Sequence, residues 1–240
     1  ASKKSAVNAI KEIRSYCLED KFSAYMESRW EDTLKAFLSP FPSSVGKGQI
    51  DFTFSTQKPI KDMLDMTALM MCRNPSFDLF GLYSFVGNKL LNPVFSQWGN
   101  ADEAQKATEQ MIRGLWLTEI YRGLFNHKNG FTSEFLSQGL TNLGIIIFRI
   151  ATETDGSFIT SDNPVVFQKM CVTTNRCPNG IYFPLTPQFL LFLGKRTEGT
   201  INDVIFRTVG NNDVREINRV ILNGAQKAIV STNKYLGYIL

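Results

Sequence analysis

The sequence has a single histidine, His127, among its 240 residues. A Ser-His-Asp or Cys-His mechanism would have to use His127 as its base, and a metal site built on two histidines is excluded. His127 lies in a run of turn-forming polar residues that follows a helical pattern, where a solvent-facing side chain is the simplest interpretation. The common hydrolase classes that depend on histidine are therefore disfavoured.

Cysteine is also scarce, with four residues in the chain. That number is too small for a disulfide scaffold and fits a reducing compartment, so we expect a cytoplasmic protein. Cys171 and Cys177 are close enough in sequence to be bridged or to share a metal, but a zinc site needs about four nitrogen or sulfur ligands. No metal site is predicted.

Long apolar runs and phosphate-binding loops are also absent. The richest apolar run, 143–150, contains Gly144 and Arg149 and is far shorter than the roughly 18 to 20 residues that cross a bilayer. The sequence therefore predicts a soluble protein with no membrane partner. It contains no G-x-G-x-x-G or G-x-x-x-x-G-K-[ST] motif, and it assigns no cofactor.

Charge gives little information about partners. The formal net charge is +4, from 26 basic and 22 acidic side chains, and the basic residues alternate with acidic ones along the helical patterns. Such a distribution is typical of solvated helix faces and supports a nucleic-acid partner only weakly. Other partners remain unassigned.

The first part of the chain predicts helices and the second part predicts strands. Apolar residues spaced three or four apart indicate helices over 8–38, from Pro59 to about Arg73, and over 77–91, 101–125 and 131–140. Strands are predicted over 143–152, 157–160, 165–168, 189–195, 204–209 and 235–240. A closing helix is predicted from Asn212, as its cap, through Ala228.

Helices followed by a group of strands are typical of the α+β class. We expect a helical N-terminal part, 1–140, packed on a small antiparallel or mixed sheet that a C-terminal helix closes, 141–240. No linker of flexible composition separates the two parts, so a single domain is predicted.

The most distinctive segment is Phe-Ile-Thr-Ser-Asp-Asn-Pro-Val, residues 158–165. Asp162 could act as a general base or metal ligand, Asn163 could orient a substrate and Ser161 could donate a hydrogen bond to it. The competing interpretation is structural, because Asp and Asn before Pro hydrogen-bond their own backbone in turns. Upstream, Glu153 and Asp155 could assist a metal-dependent phosphoryl reaction, but their setting is more typical of a hairpin tip.

Several motifs in one order resemble a known family. They are Arg73-Asn74-Pro75 after an apolar helix, the segment 158–165, Pro184-Leu185-Thr186-Pro187 before a strand, and Asn218 in the closing helix. Together they resemble the uncharacterised family catalogued as domain of unknown function 4238, over about residues 15–235. Members usually carry a His-containing segment upstream of the first long helix. This sequence lacks it, which implies a truncated or a divergent member.

The resemblance implies no reaction, but it raises Arg73, Asp162, Asn163 and Asn218 as positions to test. Two hypotheses follow. In the first, the protein is an enzyme-like domain, a hydrolase or nuclease, acting on nucleic acid or another phosphate compound: Asp162 and Asn163 are catalytic, and Arg73, Asn218 and Ser161 bind the substrate. In the second, it is a non-catalytic interaction module in which Ser161–Pro164 is purely structural. Four aromatic residues are then candidates for the contact surface, although their pattern favours burial: Phe77, Phe80, Tyr83 and Phe85.

Overall fold

The computed structural model describes a subset of the 240 residues: 17–41, 49–53, 58–73, 102–103, 106, 143–168, 180–195, 203–225 and 227–232. Two compact units are present, one formed by residues 1–67 and 139–240 and the other by residues 68–138. The predicted helices over 77–91 and 131–140 and the predicted strand over 235–240 lie outside the described residues. The prediction of a single domain stays a prediction.

Three helices and eight strands have bounds within the described residues, and Asp102, Glu103 and Lys106 are also helical, inside the helix predicted over 101–125. The helices are α1 (Cys17–Leu38), α2 (Lys58–Arg73) and α3 (Asn211–Gly224). The strands are β1 (Gln49–Thr53), β2 (Gly144–Ile150), β3 (Thr160–Ser161), β4 (Val166–Gln168), β5 (Gly180–Pro184), β6 (Phe189–Gly194), β7 (Asp203–Val209) and β8 (Ile229–Val230).

Six of these strands form one mixed sheet in the order β1-β7-β2-β6-β5-β4. One neighbouring pair, β2 and β7, is parallel, and the other pairs are antiparallel. The remaining two strands, β3 and β8, form a separate antiparallel pair. Since β3 and β4 follow each other in the chain, the chain passes from the small sheet to the edge of the large one between residues 161 and 166.

One face of the sheet packs against α1 and the residues that follow it. A row of apolar side chains crosses four strands in register: Phe183, Leu191, Ile147 and Phe206. The ring of Trp30 on α1 lies 5.7 Å from that of Phe183, and the ring of Phe41, just after α1, stacks on that of Phe206 at 5.2 Å. Burial of these aromatic rings fixes α1 to this face.

The opposite face packs against α3. Strand residues alternate between faces, so the neighbours of the first row point the other way. Tyr182 and Phe192 stand in register there, with ring centres 4.8 Å apart. They belong to a buried cluster that also includes four apolar side chains of α3: Val214, Ile217, Val220 and Ile221. The α3 helix therefore closes the sheet from the side opposite α1.

The fold is α+β, as the sequence predicted: helices cover a mixed sheet and a C-terminal helix closes it. The helix predicted from Pro59 to Arg73 and the strands predicted near 143–152, 189–195 and 204–209 are confirmed with small changes of bounds. No helix among the described residues is long and apolar enough to cross a membrane.

Two features of the closing helix differ from the prediction. The α3 helix ends at Gly224 rather than near Ala228, and its N-cap is Gly210 rather than Asn212. Because the helix begins one residue before Asn212, the carboxylate of Asp213 is the group that reaches back, and it accepts a hydrogen bond from the Gly210 backbone N–H at 3.3 Å. This is the reciprocal half of a capping box.

Candidate functional site

Residues Ser161–Pro164 form the connection between the two sheets, and we call them the latch. Ser161 is the last residue of β3, and β4 begins two residues after Pro164. The Ser161 hydroxyl is buried, donates to the Asn163 backbone carbonyl at 2.8 Å and accepts from the Asn163 backbone N–H at 3.2 Å. These two hydrogen bonds fix the backbone conformation of the latch, as Ser side chains do in turns.

The Asn163 side chain joins the latch to the end of α3. Its Nδ2 donates to the backbone carbonyl of Gly224 at 3.1 Å, which satisfies one of the carbonyls that a helix leaves free at its C-terminus. Its Oδ1 is buried and accepts no hydrogen bond from any described residue. A buried acceptor without a hydrogen bond costs about 1–3 kcal/mol. The Asn163 side chain therefore binds the end of α3 at a cost to the stability of the fold.

Asp162 points the other way, toward the chain that follows α3. Its side chain is exposed, its Oδ2 accepts from the Lys227 backbone N–H at 2.9 Å, and its own N–H donates to the Ala228 carbonyl at 3.2 Å. The predicted catalytic carboxylate therefore has a backbone partner and an open approach from solvent.

Asn218 is fully buried in the middle of α3, with 0% of its surface exposed. Its Oδ1 accepts from the Ile159 backbone N–H at 3.1 Å, and its Nδ2 donates to the Ser157 carbonyl at 2.9 Å. One amide thus satisfies a donor and an acceptor of the segment that leads into β3. The Asn218 side chain therefore takes the place that the backbone of a neighbouring strand would take in bonding to this segment.

The turn at Pro184–Pro187 contacts the same segment. The Pro187 carbonyl accepts from the Phe158 N–H at 2.8 Å, and the Thr186 hydroxyl accepts from the Phe189 N–H at 3.0 Å, which fixes the turn itself. The structure therefore brings together three of the four motifs noted in the sequence: 158–165, 184–187 and Asn218. The contacts that join them run through the backbone of residues 157–159.

The fourth motif lies elsewhere. Arg73 ends α2 in the second compact unit, and its side chain lies outside the described residues. Its predicted role in substrate binding stays a prediction. The aromatic contact surface predicted at 77–85 also lies outside the described residues.

The interpretation of Glu153 and Asp155 as a hairpin tip is wrong. They follow β2, but β2 pairs with β6 and β7, and β3 pairs with β8, so residues 151–159 do not join two paired strands. The Thr154 N–H donates to the Ala151 carbonyl at 2.9 Å, which makes a turn at the carboxyl end of β2.

A polar cleft of about 470 Å³ lies at this end of the parallel pair β2 and β7. It is lined by that turn, the end of β7 and the first turn of α3: Glu153, Thr154, Thr208, Gly210, Asn211, Asn212 and Asp213. Its two carboxylates oppose the binding of an anion at the helix N-terminus. No group of three or more His, Cys, Asp or Glu side chains in the described part of the chain is placed to hold a metal ion.

The sequence analysis did not predict two features of this region. Gly224 approaches β4 so closely that a Cβ built on it would lie 2.6 Å from Cγ2 of Val166. Arg149, which the sequence marked only as an interruption of an apolar run, is 6% exposed, and its guanidinium carbon lies 5.5 Å from the centre of the Phe189 ring. An arginine within a run of Ile and Phe was the signal, because such residues are almost never fully buried without a specific contact.

Comparison with known proteins shows the family to which the chain belongs. The model of a family described as "Protein of unknown function (DUF4238)" matches residues 8–235. No curated protein and no solved structure matches the chain.

Proposed function

Because the chain belongs to the DUF4238 family, a family of unknown function, we propose its function from its own geometry: it is a non-catalytic interaction module in which the latch is a structural element. The observation that carries the proposal is the pair of hydrogen bonds that the buried Asn218 side chain makes to the backbone. Both ends of its amide are bonded to the backbone of residues 157 and 159, and none of its surface faces solvent.

The other latch contacts support the same conclusion. Ser161 bonds to the backbone of Asn163, and Asn163 bonds to the end of α3. A substrate-binding side chain needs a hydrogen-bonding group directed at the substrate, whereas the Ser161 hydroxyl and Asn163 Nδ2 are directed at the chain itself. The latch therefore positions β3, β4 and α3 relative to one another.

The exposed apolar side chains favour an interaction role. Phe167 is 51% exposed on β4, which is an edge strand of the large sheet, and Val230 is 61% exposed on β8. Edge strands with accessible aromatic residues are common in protein–protein recognition, since aromatic side chains are enriched where partners meet.

Asp162 is the residue that favours the competing function, an enzyme-like domain acting on nucleic acid or another phosphate compound. Its carboxylate is exposed at the end of a strand and lies next to Asn163. If it acts as a general base or binds a catalytic metal, its removal lowers the rate by about 10²- to 10⁴-fold.

A nuclease and phosphatase screen distinguishes the two functions. We expect the chain and its Asp162→Ala variant to give the same background rate with single-stranded and double-stranded DNA, RNA and a phosphomonoester, in Mg²⁺, Mn²⁺ and Zn²⁺. Asp155→Ala, which removes a different exposed carboxylate, is the matched control. A metal-dependent rate that falls about 100-fold or more in Asp162→Ala, but is kept in Asp155→Ala, would overturn the proposal.

A further inference from the structure

The last two residues of α3, Asn223 and Gly224, form an asparagine–glycine pair. In such a pair the backbone nitrogen of the glycine attacks the side-chain amide carbon of the asparagine and closes a succinimide ring. Glycine favours this reaction because it has no Cβ to hinder the attack and because its backbone conformation is unrestricted. Asn223 is exposed to solvent, so α3 ends in a reactive pair at the surface.

Packing between α3 and β4 requires the glycine of this pair. A Cβ at position 224 would overlap Cγ2 of Val166, the first residue of β4. The close approach of the helix end to the sheet therefore keeps a glycine next to Asn223, and that glycine makes the asparagine reactive.

The fold opposes the reaction at this pair. Side chains on a helix tilt toward its N-terminus, so the Asn223 side chain is directed away from the nitrogen of the next residue. The Gly224 carbonyl accepts from Asn163 Nδ2 at 3.1 Å. The Ala225 N–H donates to the Leu222 carbonyl, also at 3.1 Å. Ring closure therefore requires the last turn of α3 to open, and the Asn163 contact resists that opening.

We propose that Asn223 is a site of spontaneous deamidation, that the Asn163 contact limits its rate, and that the product releases the end of α3 from the latch. Ring closure joins the Gly224 nitrogen to the Asn223 side-chain carbon. The amide nitrogen leaves as ammonia and takes the proton of the Gly224 N–H with it. Water, the only co-reactant, then opens the ring at either of its carbonyls and leaves aspartate or β-linked isoaspartate at position 223.

Both products weaken the end of α3. A carboxylate at position 223 lies beside the last carbonyls of the helix, which carry partial negative charge, so it destabilises the final turn. Isoaspartate also adds a carbon to the backbone before Gly224, which shifts that residue relative to Asn163 and Val166. Deamidation is therefore an age-dependent loss of the connection between α3, the latch and β4. It does not depend on the proposed function, because it follows from the helix end alone.

Peptide mapping by mass spectrometry tests the site. The chain is held at neutral pH, folded or unfolded in urea, and conversion of Asn223 to an acid is followed in the tryptic peptide 220–227. Two other asparagine–glycine pairs, at Asn129 and Asn179, are the references, and in urea all three should react at similar rates. We expect Asn223 to convert at least about tenfold more slowly in the folded chain than in urea, because the last turn of α3 has to open first. Equal rates in both conditions, or no conversion in the folded chain while the unfolded chain reacts, would overturn the proposal.

Asn163→Ala tests the contact that limits the rate. The variant removes the donor to the Gly224 carbonyl, so conversion of Asn223 in the folded chain should rise about three- to tenfold, with no change in urea. Asn212→Ala, which replaces an exposed asparagine in the first turn of the same helix, is the matched control and should convert like the unmodified chain. A rate in Asn163→Ala equal to that of the control would contradict the proposal.

Hydrogen exchange in the deamidated chain gives an independent result if Asn163→Ala folds poorly. The form with isoaspartate at position 223 is separated from the unmodified chain by chromatography. We expect its Ala225 amide, which donates to the last turn of α3, to exchange about tenfold faster than in the unmodified chain. The Ile159 amide, which donates to Asn218 in the middle of the helix, should be unchanged. An unchanged rate at Ala225, or an equal rise at both amides, would show that deamidation does not release the helix end.

Discussion

Replacing Asn218 with alanine is expected to lower the free energy of unfolding by about 3–5 kcal/mol. The substitution leaves the buried Ile159 N–H and the partly buried Ser157 carbonyl without their partner, and an unsatisfied buried group costs about 1–3 kcal/mol. The cavity left by the amide adds to this loss. Urea unfolding followed by tryptophan fluorescence measures the change.

Asn212→Ala is the matched control, because Asn212 is an exposed asparagine in the first turn of the same helix. Its effect should stay within about 0.5 kcal/mol. A loss of less than about 1 kcal/mol in Asn218→Ala, or equal losses in both variants, would show that the Asn218 contacts do not stabilise the fold.

Gly224→Ala is expected to cost about 1–3 kcal/mol, because the added methyl group overlaps Val166. The new Cβ would lie 2.6 Å from Cγ2 and 2.7 Å from Cγ1 of a β-branched side chain that has little freedom to move away. A shift of residue 224 away from Val166 moves the helix end that Asn163 binds, so the substitution also strains the latch.

A double-mutant cycle with Val166→Ala separates this overlap from other effects of the substitution. The smaller side chain makes room for the methyl group. The double variant should therefore lose at least about 1 kcal/mol less in its free energy of unfolding than the sum of the two single losses. Gly156→Ala, whose Cβ would have its nearest neighbour at 3.2 Å, is the control and should change stability by less than about 1 kcal/mol. Additive effects at positions 224 and 166 would contradict the close approach.

The parts of the fold that were predictable are those whose pattern is local. The helix starting near Pro59 and the apolar strands β2, β6 and β7 carry their own periodicity and β-branched residues. Three strands were missed because their formation depends on distant partners. β1 pairs with β7, about 150 residues away, and β8 has only two residues. β5 begins with Gly180 and ends with Pro184, two residue types that are depleted in strands.

The candidate site was predictable in the same limited sense. The polar residues of 161–163 stand out where an apolar strand ends, and Asn218 lies on the apolar face of α3 between Val214 and Ile221, which marks it as a buried polar residue. Their partners could not be predicted, since they are backbone groups about 60 residues away: Ser157 and Ile159 for Asn218, Gly224 for Asn163, and Lys227 for Asp162. A sequence pattern shows which side chains are unusual, but only the tertiary structure shows which groups they bind.

The exchange rate of the Ile159 amide tests the central claim most directly, because that N–H donates to Asn218 in the absence of any ligand. If the polar residues of the latch and α3 serve the fold, the amide should exchange only through global unfolding, with a free energy of exchange within about 1 kcal/mol of the free energy of unfolding. Exchange at the rate of an open loop amide in the ligand-free chain would contradict the account, since Asn218 would then be available to a ligand rather than bound to the backbone.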